Sequence, residues 1–562
     1  MRKIIITISI LAACATAYAQ DFTTSPYGFM ANAMSYGENN YYGTARSMAM
    51  GNAMTALGGD LGSIMINPAG SAVSGCSQVL FTGGASISSV IAAYTPSWGG
   101  QYDPSGRTTR GKFVCPSVGA SLRFDMEGNG GLQNITFSFL TTARNQSLFG
   151  LEVAGMQNGT NITSMCGALA DAANYDQLPP DLFWDETKYK NRYNGAYDWG
   201  EVASFGGNLF AYSDDLGKFI PSTQDEHGKY VSGTSLEQTF VRKIDGARRD
   251  FIFNLGFNFE DSFYFGATLG FPTMTYSNSM EMCEISRGAD IPIAFDGGNT
   301  TAFARALYST AFTSRLSGIY GKFGVIWVPA SNFRIGAAIQ TPSGYRIREN
   351  YTVYASSTYK NGREYHDSPS TSDYFGYTLR SPWEFNVGLS YVFGQFGMIS
   401  ADYELQDYRS MRYSPLGETA SSYFNPANKL ISNFCGASHN LRIGGEIRIN
   451  SYVSARLGYN LVTSAEQYYT RAGEKIYASD FTDQTSLVGA SRHYVNANRH
   501  VISGGFGYSS PGSFFADLTV RDAIYPLNNF ALYNDYDPHI SSPDVMYRRH
   551  LWDVVLTVGW RF

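Results

Sequence analysis

Long hydrophobic runs are missing from this chain. Beyond the first nineteen residues, no stretch approaches the roughly eighteen consecutive apolar residues that a membrane helix needs, so no helical membrane span is expected. Charge is sparse as well: Asp, Glu, Lys and Arg make up 16% of 562 residues, with a net charge of −6. That slightly acidic balance argues against a nucleic-acid partner. Cysteine is scarce and oddly counted. Past Cys14 there remain Cys76, Cys115, Cys166, Cys283 and Cys435, a poor disulfide framework with no C-x-x-C spacing for zinc. Cys166 and Cys283 fall in long loops where pairing stays open, although lone or buried thiols are the plainer expectation. The seven histidines are scattered, with no H-x-x-x-H, no Gly-x-Ser-x-Gly and no evident nucleophile–base pair. No enzymatic activity, metal or cofactor is expected. The length would allow several domains, yet no low-complexity linker divides the chain.

What the chain has in abundance is glycine (59), tyrosine (40) and phenylalanine (37), at a mean hydropathy of −0.20. From about Gln78 onward, apolar and polar residues alternate with period two. Phe251, Phe253, Leu255, Phe257 and Phe259 form one row against Asn254, Gly256 and Asn258. Trp383, Phe385, Val387, Leu389, Tyr391 and Phe393 oppose Glu384, Asn386, Gly388 and Ser390. Such alternation suits any antiparallel sheet with one wet face. The last strand is more specific: Trp552, Val554, Leu556, Val558, Trp560 and Phe562 share a face, aromatic at both ends and aliphatic between. At ~3.4 Å per residue and ~40° tilt, Trp552 to Trp560 spans about 20 Å of height, close to the ~25 Å apolar band of a transmembrane barrel. The expectation is an all-β fold, a transmembrane antiparallel β-barrel of about 14 strands. Short links fall near 128–130, 260–261, 330–331, 394–395, 450–451 and 511, alternating with long ones. An even strand count places both ends of the barrel on the short-turn side. The longest link, residues 146–246, reads as a solvated outer excursion with one helix near Met165–Ala173.

Residues 1–19 read as a signal peptide: Arg2 and Lys3, then the apolar Ile4–Ala13, then Ala17-Tyr18-Ala19. Leu11-Ala12-Ala13-Cys14 offers a rival, a lipobox with Cys14 as the lipidated residue. Residues 20–77 stand apart from the strand pattern. Within them Tyr41–Val73 is rich in Gly, Ala and Met, and it ends in Asn67-Pro68-Ala69-Gly70. Pro68 holds Asn67 in extended or turn geometry. Lying just before a barrel, this stretch resembles the N-terminal hatch of the FadL/TodX family of outer-membrane transport proteins, whose plug carries Asn-Pro-Ala. Gly43-Thr44-Ala45-Arg46-Ser47 and Gly58-Gly59-Asp60 fit the same hatch. The resemblance implies residues 20–77 as a helical hatch in the lumen and 78–562 as the barrel. It also implies location in a Gram-negative outer membrane, a monomer in contact with outer-membrane lipid, and a hydrophobic small-molecule ligand such as a long-chain fatty acid or another hydrophobic compound. The terminal Phe562 resembles the signal read by the barrel assembly machinery. Two other roles stand beside passive uptake: a scaffold or shuttle for secreted surface proteins, and a haem-binding receptor, for which no ligand spacing speaks.

Charged residues on the polar rows would cost ~2–4 kcal/mol apiece if Arg or Lys faced lipid at mid-depth, so they should face the lumen. They include Arg123, Lys322, Arg334, Arg442, Arg448 and Arg456, with Glu384, Asp402, Glu404, Glu446, Asp517 and Asp553 to match. The mixture of signs reads first as a salt-bridge lattice bracing a wide barrel. The six cations read second as contacts for a ligand carboxylate.

Overall fold

The computed structural model describes residues 26–96, 103–126, 131–158, 162–190, 192–193, 197–295, 299–368, 375–416, 422–471, 473–478, 498–533 and 542–562. The signal segment with Cys14 and the turn at 128–130 lie outside the described residues.

Fourteen antiparallel strands close into a barrel. They are β1 Gln78–Thr95, β2 Asp103–Asp125, β3 Leu132–Asn158, β4 Ser235–Phe259, β5 Phe263–Ser286 and β6 Asn299–Ala330. Then come β7 (Phe333–Gln340 with Gly344–Tyr359), β8 (Phe375–Arg380 with Glu384–Val392) and β9 (Gly397–Asp407 with Arg412–Pro415). The rest are β10 Ala437–Arg448, β11 Val453–Val462, β12 Arg499–Ser509, β13 (Phe514–Ile524 with Asn528–Ala531) and β14 Asp544–Arg561. β1 pairs with β14 from Gln78–Arg561 to Thr95–Asp544, which closes the ring. The breaks in β7, β8 and β13 each contain a proline: Pro342, Pro382 and Pro526. A residue without an N–H cannot donate to the ladder, and these three positions interrupt it.

The alternation read from the sequence is the inside and outside of this wall. On β14, Trp552, Val554, Leu556 and Trp560 are exposed, whereas Asp553, Val555 and Thr557 are buried in the lumen. The strands run longer than the alternating stretches suggest, because pairing continues above the apolar belt. β3 and β4 stay in register to Asn158–Ser235, so residues 146–158 and 235–246 belong to strands and the remaining link is 159–234. That link is no solvated excursion. Helix α3 (Met165–Tyr175), helix α4 (Trp199–Gly206) and the hairpin Phe210–Ser213/Lys218–Pro221 fold back into the outer mouth. Phe205, Phe210 and Phe219 pack there with inward residues of the wall, among them Phe240, Phe303, Tyr308 and Val353. Glu284 of β5 fixes the start of α3, accepting from the Met165 and Cys166 backbone N–H groups at 2.5 and 3.3 Å. A carboxylate there satisfies two orphan donors and suits the positive end of the helix. Cys166 and Cys283 are free thiols in this cap, not a disulfide.

The N-terminal segment fills the lumen below. It holds α1 (Pro26–Gly37), α2 (Ala45–Ala49) and two short 3-10 turns, Leu61–Met65 and Pro68–Ser71. Helix α1 lies within the segment expected as a helical hatch, ahead of its Gly/Ala/Met-rich stretch. Its apolar contacts come from elsewhere: Phe29 meets Tyr377, Tyr413 and Phe424 edge-on at 5.2–5.8 Å, the last beside α5 (Asn425–Phe434).

Candidate functional site

Asn67 and Pro68 build the contact between hatch and wall. Asn67 is extended (φ −133°, ψ 114°), as a residue before proline should be, and its Oδ1 accepts from Ala69 N at 3.1 Å to start the turn Pro68–Ser71. Its Nδ2 donates to Thr55 O at 2.7 Å inside the hatch and to Val325 O of β6 at 3.1 Å. The same side chain therefore shapes the hatch and ties it to the barrel. Ala69 and Gly70 are fully covered, and Gly70 leaves room for Ser63, whose Oγ would lie 2.3 Å from a Cβ there.

Opposite the hatch, the wall is made of glycine. Gly256, Gly266 and Gly324 are register neighbours on β4, β5 and β6; Gly336 faces Gly388 on β7 and β8; Gly444 faces Gly458 on β10 and β11. A Cβ on Gly266 would lie 2.2 Å from the Pro68 carbonyl carbon, and one on Gly458 would lie 2.0 Å from Gly51 N. The hatch backbone thus lies directly on the strand backbones, with no side-chain layer between them. Gly51 itself needs its freedom: φ is +62° and a Cβ would meet β11 backbone at 2.9 Å.

Above this belt a charge lattice crosses the lumen. Arg144 of β3, fully buried, reaches Glu384 of β8, Gln340 of β7 at 2.9 Å and Asp250 of β4 at 3.4 Å. Tyr41 of the hatch donates to Glu404 at 2.7 Å, and Arg442 donates to the same carboxylate at 3.0 Å. The six cations singled out from the sequence are placed as follows. Lys322 donates to Met65 O at 2.9 Å, and Arg334 donates to Leu57 O at 2.7 Å, both in the hatch. Arg442 is held by Glu404 and Asn386, and Arg456 by Glu446 and Asp517. Arg123 bonds Asp125 and Ser74 O at the lower rim, and Arg448 is exposed there. None of the six lines the lumen cavity beside α1.

That cavity, about 320 Å³, lies between α1 and the wall. Its lining mixes apolar groups (Met34, Leu148, Phe149, Tyr547) with charged ones (Glu38, Arg242, Arg499, Arg549). Arg499 pairs with Glu38, and Arg549 sits over the Tyr525 ring at 4.4 Å while donating to Leu148 O at 2.8 Å. A cavity with an apolar body and guanidinium groups on one side can hold an amphipathic molecule. No group of His, Cys, Asp and Glu able to hold a metal occurs among the described residues.

Beside the cavity the wall is interrupted. The β2–β3 ladder stops at Ser117–Thr142, although β1–β2 pairing continues to Tyr94–Asp103 and β3–β4 pairing to Asn158–Ser235. The cause is a bulge: the β3–β4 register shifts between Ala143 and Asn145, where β3 turns inward to pair with the hatch. Tyr42 N donates to Ala143 O and Asn40 N to Arg144 O, both at 3.0 Å. Past this point side chains, not backbone, join the two strands. Arg110 Nη1 of β2 donates to Phe149 O of β3 at 2.8 Å, and Glu152 N of β3 donates to Thr108 Oγ1 of β2 at 3.1 Å, while Arg249 Nη2 of β4 reaches across to Cys115 O of β2 at 2.6 Å. The third strand has neither Pro nor Gly between Leu132 and Gln146, so nothing in its own composition announces the interruption.

Closed ring, apolar outer belt, filled lumen and interrupted wall together define a plugged transmembrane β-barrel. No protein-family model matches the chain, and no curated protein matches it in sequence. In structure it is similar to a FadL homologue of Pseudomonas aeruginosa, at 12% identity and a TM-score of 0.46 over 93% of this chain and 98% of that one. It is also similar to the toluene transporter TbuX of Ralstonia pickettii (13% identity, TM-score 0.41, 93% and 99% covered). A third is the toluene transporter TodX of P. putida (10%, 0.42, 93% and 99%).

Proposed function

We propose that this protein is an outer-membrane transport protein of the FadL/TodX type, which admits hydrophobic or amphipathic small molecules passively. The ligand occupies the cavity beside α1 and leaves sideways between β2 and β3 into the membrane, while the hatch keeps the axial route shut. The observation that carries this reading is the interrupted β2–β3 ladder. It adjoins the cavity through Ser147, Leu148 and Phe149 of β3, and the hatch itself holds the bulge that creates it. A seam held by side chains can part at far smaller cost than a ladder of backbone hydrogen bonds. The long-loop end faces outward, and the hatch side faces the periplasm.

A reversible staple tests the route. Thr108→Cys with Glu152→Cys, in a chain whose five described cysteines are replaced by serine or alanine, joins β2 to β3 where Glu152 N meets Thr108 Oγ1. Oxidised cells should take up labelled oleate at the rate of a deletion strain, and reduction should restore uptake. Equal uptake by oxidised and reduced cells removes the lateral route. Normal uptake in the deletion strain, with surface proteins lost, would favour a scaffold for secreted partners instead.

A further inference from the structure

The outward face carries a patch that transport does not use. Arg315 of β6, Arg346 and Arg348 of β7, Arg380 of β8 and Arg412 of β9 are all exposed, and they lie on adjoining strands. The register sets Arg315 directly opposite Arg348, and Arg380 directly opposite Arg412, with Arg346 opposite Ser317 and Thr378. Like charges directly opposite one another destabilise a sheet. In the lumen, by contrast, Arg144, Arg442 and Arg456 are each neutralised by carboxylates. Here none of the five meets a carboxylate among the described residues, and Asp407, on the same outer face, is taken by Arg409 at 2.8 Å.

Height identifies the occupant. The apolar belt below the patch ends at Ile319 on β6 and Trp383 on β8, both exposed. Arg380 lies three residues beyond Trp383, and Arg315 four beyond Ile319, or about 8–10 Å at ~3.4 Å rise and ~40° tilt. That sets the backbone at the outer edge of the headgroup layer, which adds roughly 5–8 Å on each side of the hydrocarbon, and the long arginine side chains can reach into it. Guanidinium groups there meet phosphate bidentately. We infer that the outer wall over β6–β9 binds a phosphorylated glycolipid of the surrounding leaflet, the phosphates bridging the facing arginine pairs while the acyl chains lie along the belt. This rests on the barrel standing in an outer membrane with its long loops outward, not on what passes through the lumen.

The test uses the full-length barrel, purified and freed of lipid, with diphosphoryl lipid A, monophosphoryl lipid A and inorganic phosphate as probes. Diphosphoryl lipid A should bind more tightly than the monophosphoryl form, and added salt should weaken it. The triple variant Arg346→Gln, Arg348→Gln, Arg380→Gln should lose about ten-fold or more in affinity. Its heat-modifiable migration and oleate uptake should match the parent. A second triple variant with lysine at the same positions keeps the charge and the fold, and should bind between the two. Equal affinity of parent and glutamine variant overturns the inference. So does equal binding of both lipid forms, or full competition by inorganic phosphate at the lipid's own concentration, which would mark a free-anion site.

Discussion

At the scale of single residues, the glycine belt decides how close hatch and wall can come. Gly266→Ala places a methyl where the Pro68 carbonyl carbon lies 2.2 Å away, and neither backbone can yield without moving the hatch. Overpacking of this kind costs about 1–3 kcal/mol. The variant should fold into a heat-modifiable barrel that admits bulky antibiotics, measured as cell sensitivity. Gly344→Ala, with open space around it, should behave as the parent. A tight Gly266→Ala barrel would mean the belt does not seal. These glycines were visible in the sequence as one polar row, Gly256, Gly266, Gly388 and Gly458 among them. Their purpose was not, because it depends on hatch residues roughly two hundred to four hundred positions away. The motif Asn67-Pro68 was legible for a local reason: proline fixes its predecessor wherever the chain goes. The six cations stand on polar rows of the sequence, but which partner each finds is a matter of register across the lumen, and alternation says nothing of that.

Among the elements, the cap over the outer mouth departs most from its reading. Its sequence is acidic and tyrosine-rich, and its apolar residues show no period of their own because they fit a wall built from other strands. Helix α4 brings two carboxyls under that cover. Asp198 caps it, accepting from Gly200 N at 2.7 Å and Glu201 N at 3.2 Å, and desolvation still pushes its pKa up to about 6. Burial first, then the carboxyls of Asp198 and Asp176, raise Glu201 well above its usual range. Groups that hold protons more tightly when folded contribute most at low pH. Stability of the cap should therefore fall as pH rises from about 4, the ordinary carboxylate value, through Asp198's 6, by up to roughly 3 kcal/mol from that group. Glu201 extends the loss to higher pH. Hydrogen exchange of the α4 amides, corrected for intrinsic rates, should show less protection at pH 7.5 than at pH 5. Glu201→Gln should flatten that difference, and an unchanged difference would clear Glu201 of the effect. Strand β3 teaches the complementary lesson. Its alternation identifies it as a strand, while its bulge exists only because Tyr42 and Asn40 pair with it.

For the whole molecule, fourteen strands enclose a lumen wide enough to conduct water unless filled. Deleting Gln20–Ser74 should leave a folded barrel that leaks, read as sensitivity to bulky antibiotics with heat-modifiable migration retained. A deletion that neither leaks nor misfolds would mean the segment is no plug. The architecture itself was legible early, since period-two alternation and link lengths are local quantities that add up to a barrel. The same geometry sets an order of events during synthesis. The wall supplies much of what holds the hatch: Ala45 N donates to Thr557 Oγ1 at 2.7 Å, Arg521 to Tyr41 O at 3.2 Å, and Lys322 to Met65 O at 2.9 Å. Those supports come from β6, β13 and β14, so although β3 already pairs with it at Ala143, the hatch is not fully held until nearly five hundred further residues exist. Loop closure over such distances is slow. The hatch therefore completes late, and the plug and the closing β1–β14 seam set together, as a bung and a barrel's last stave do.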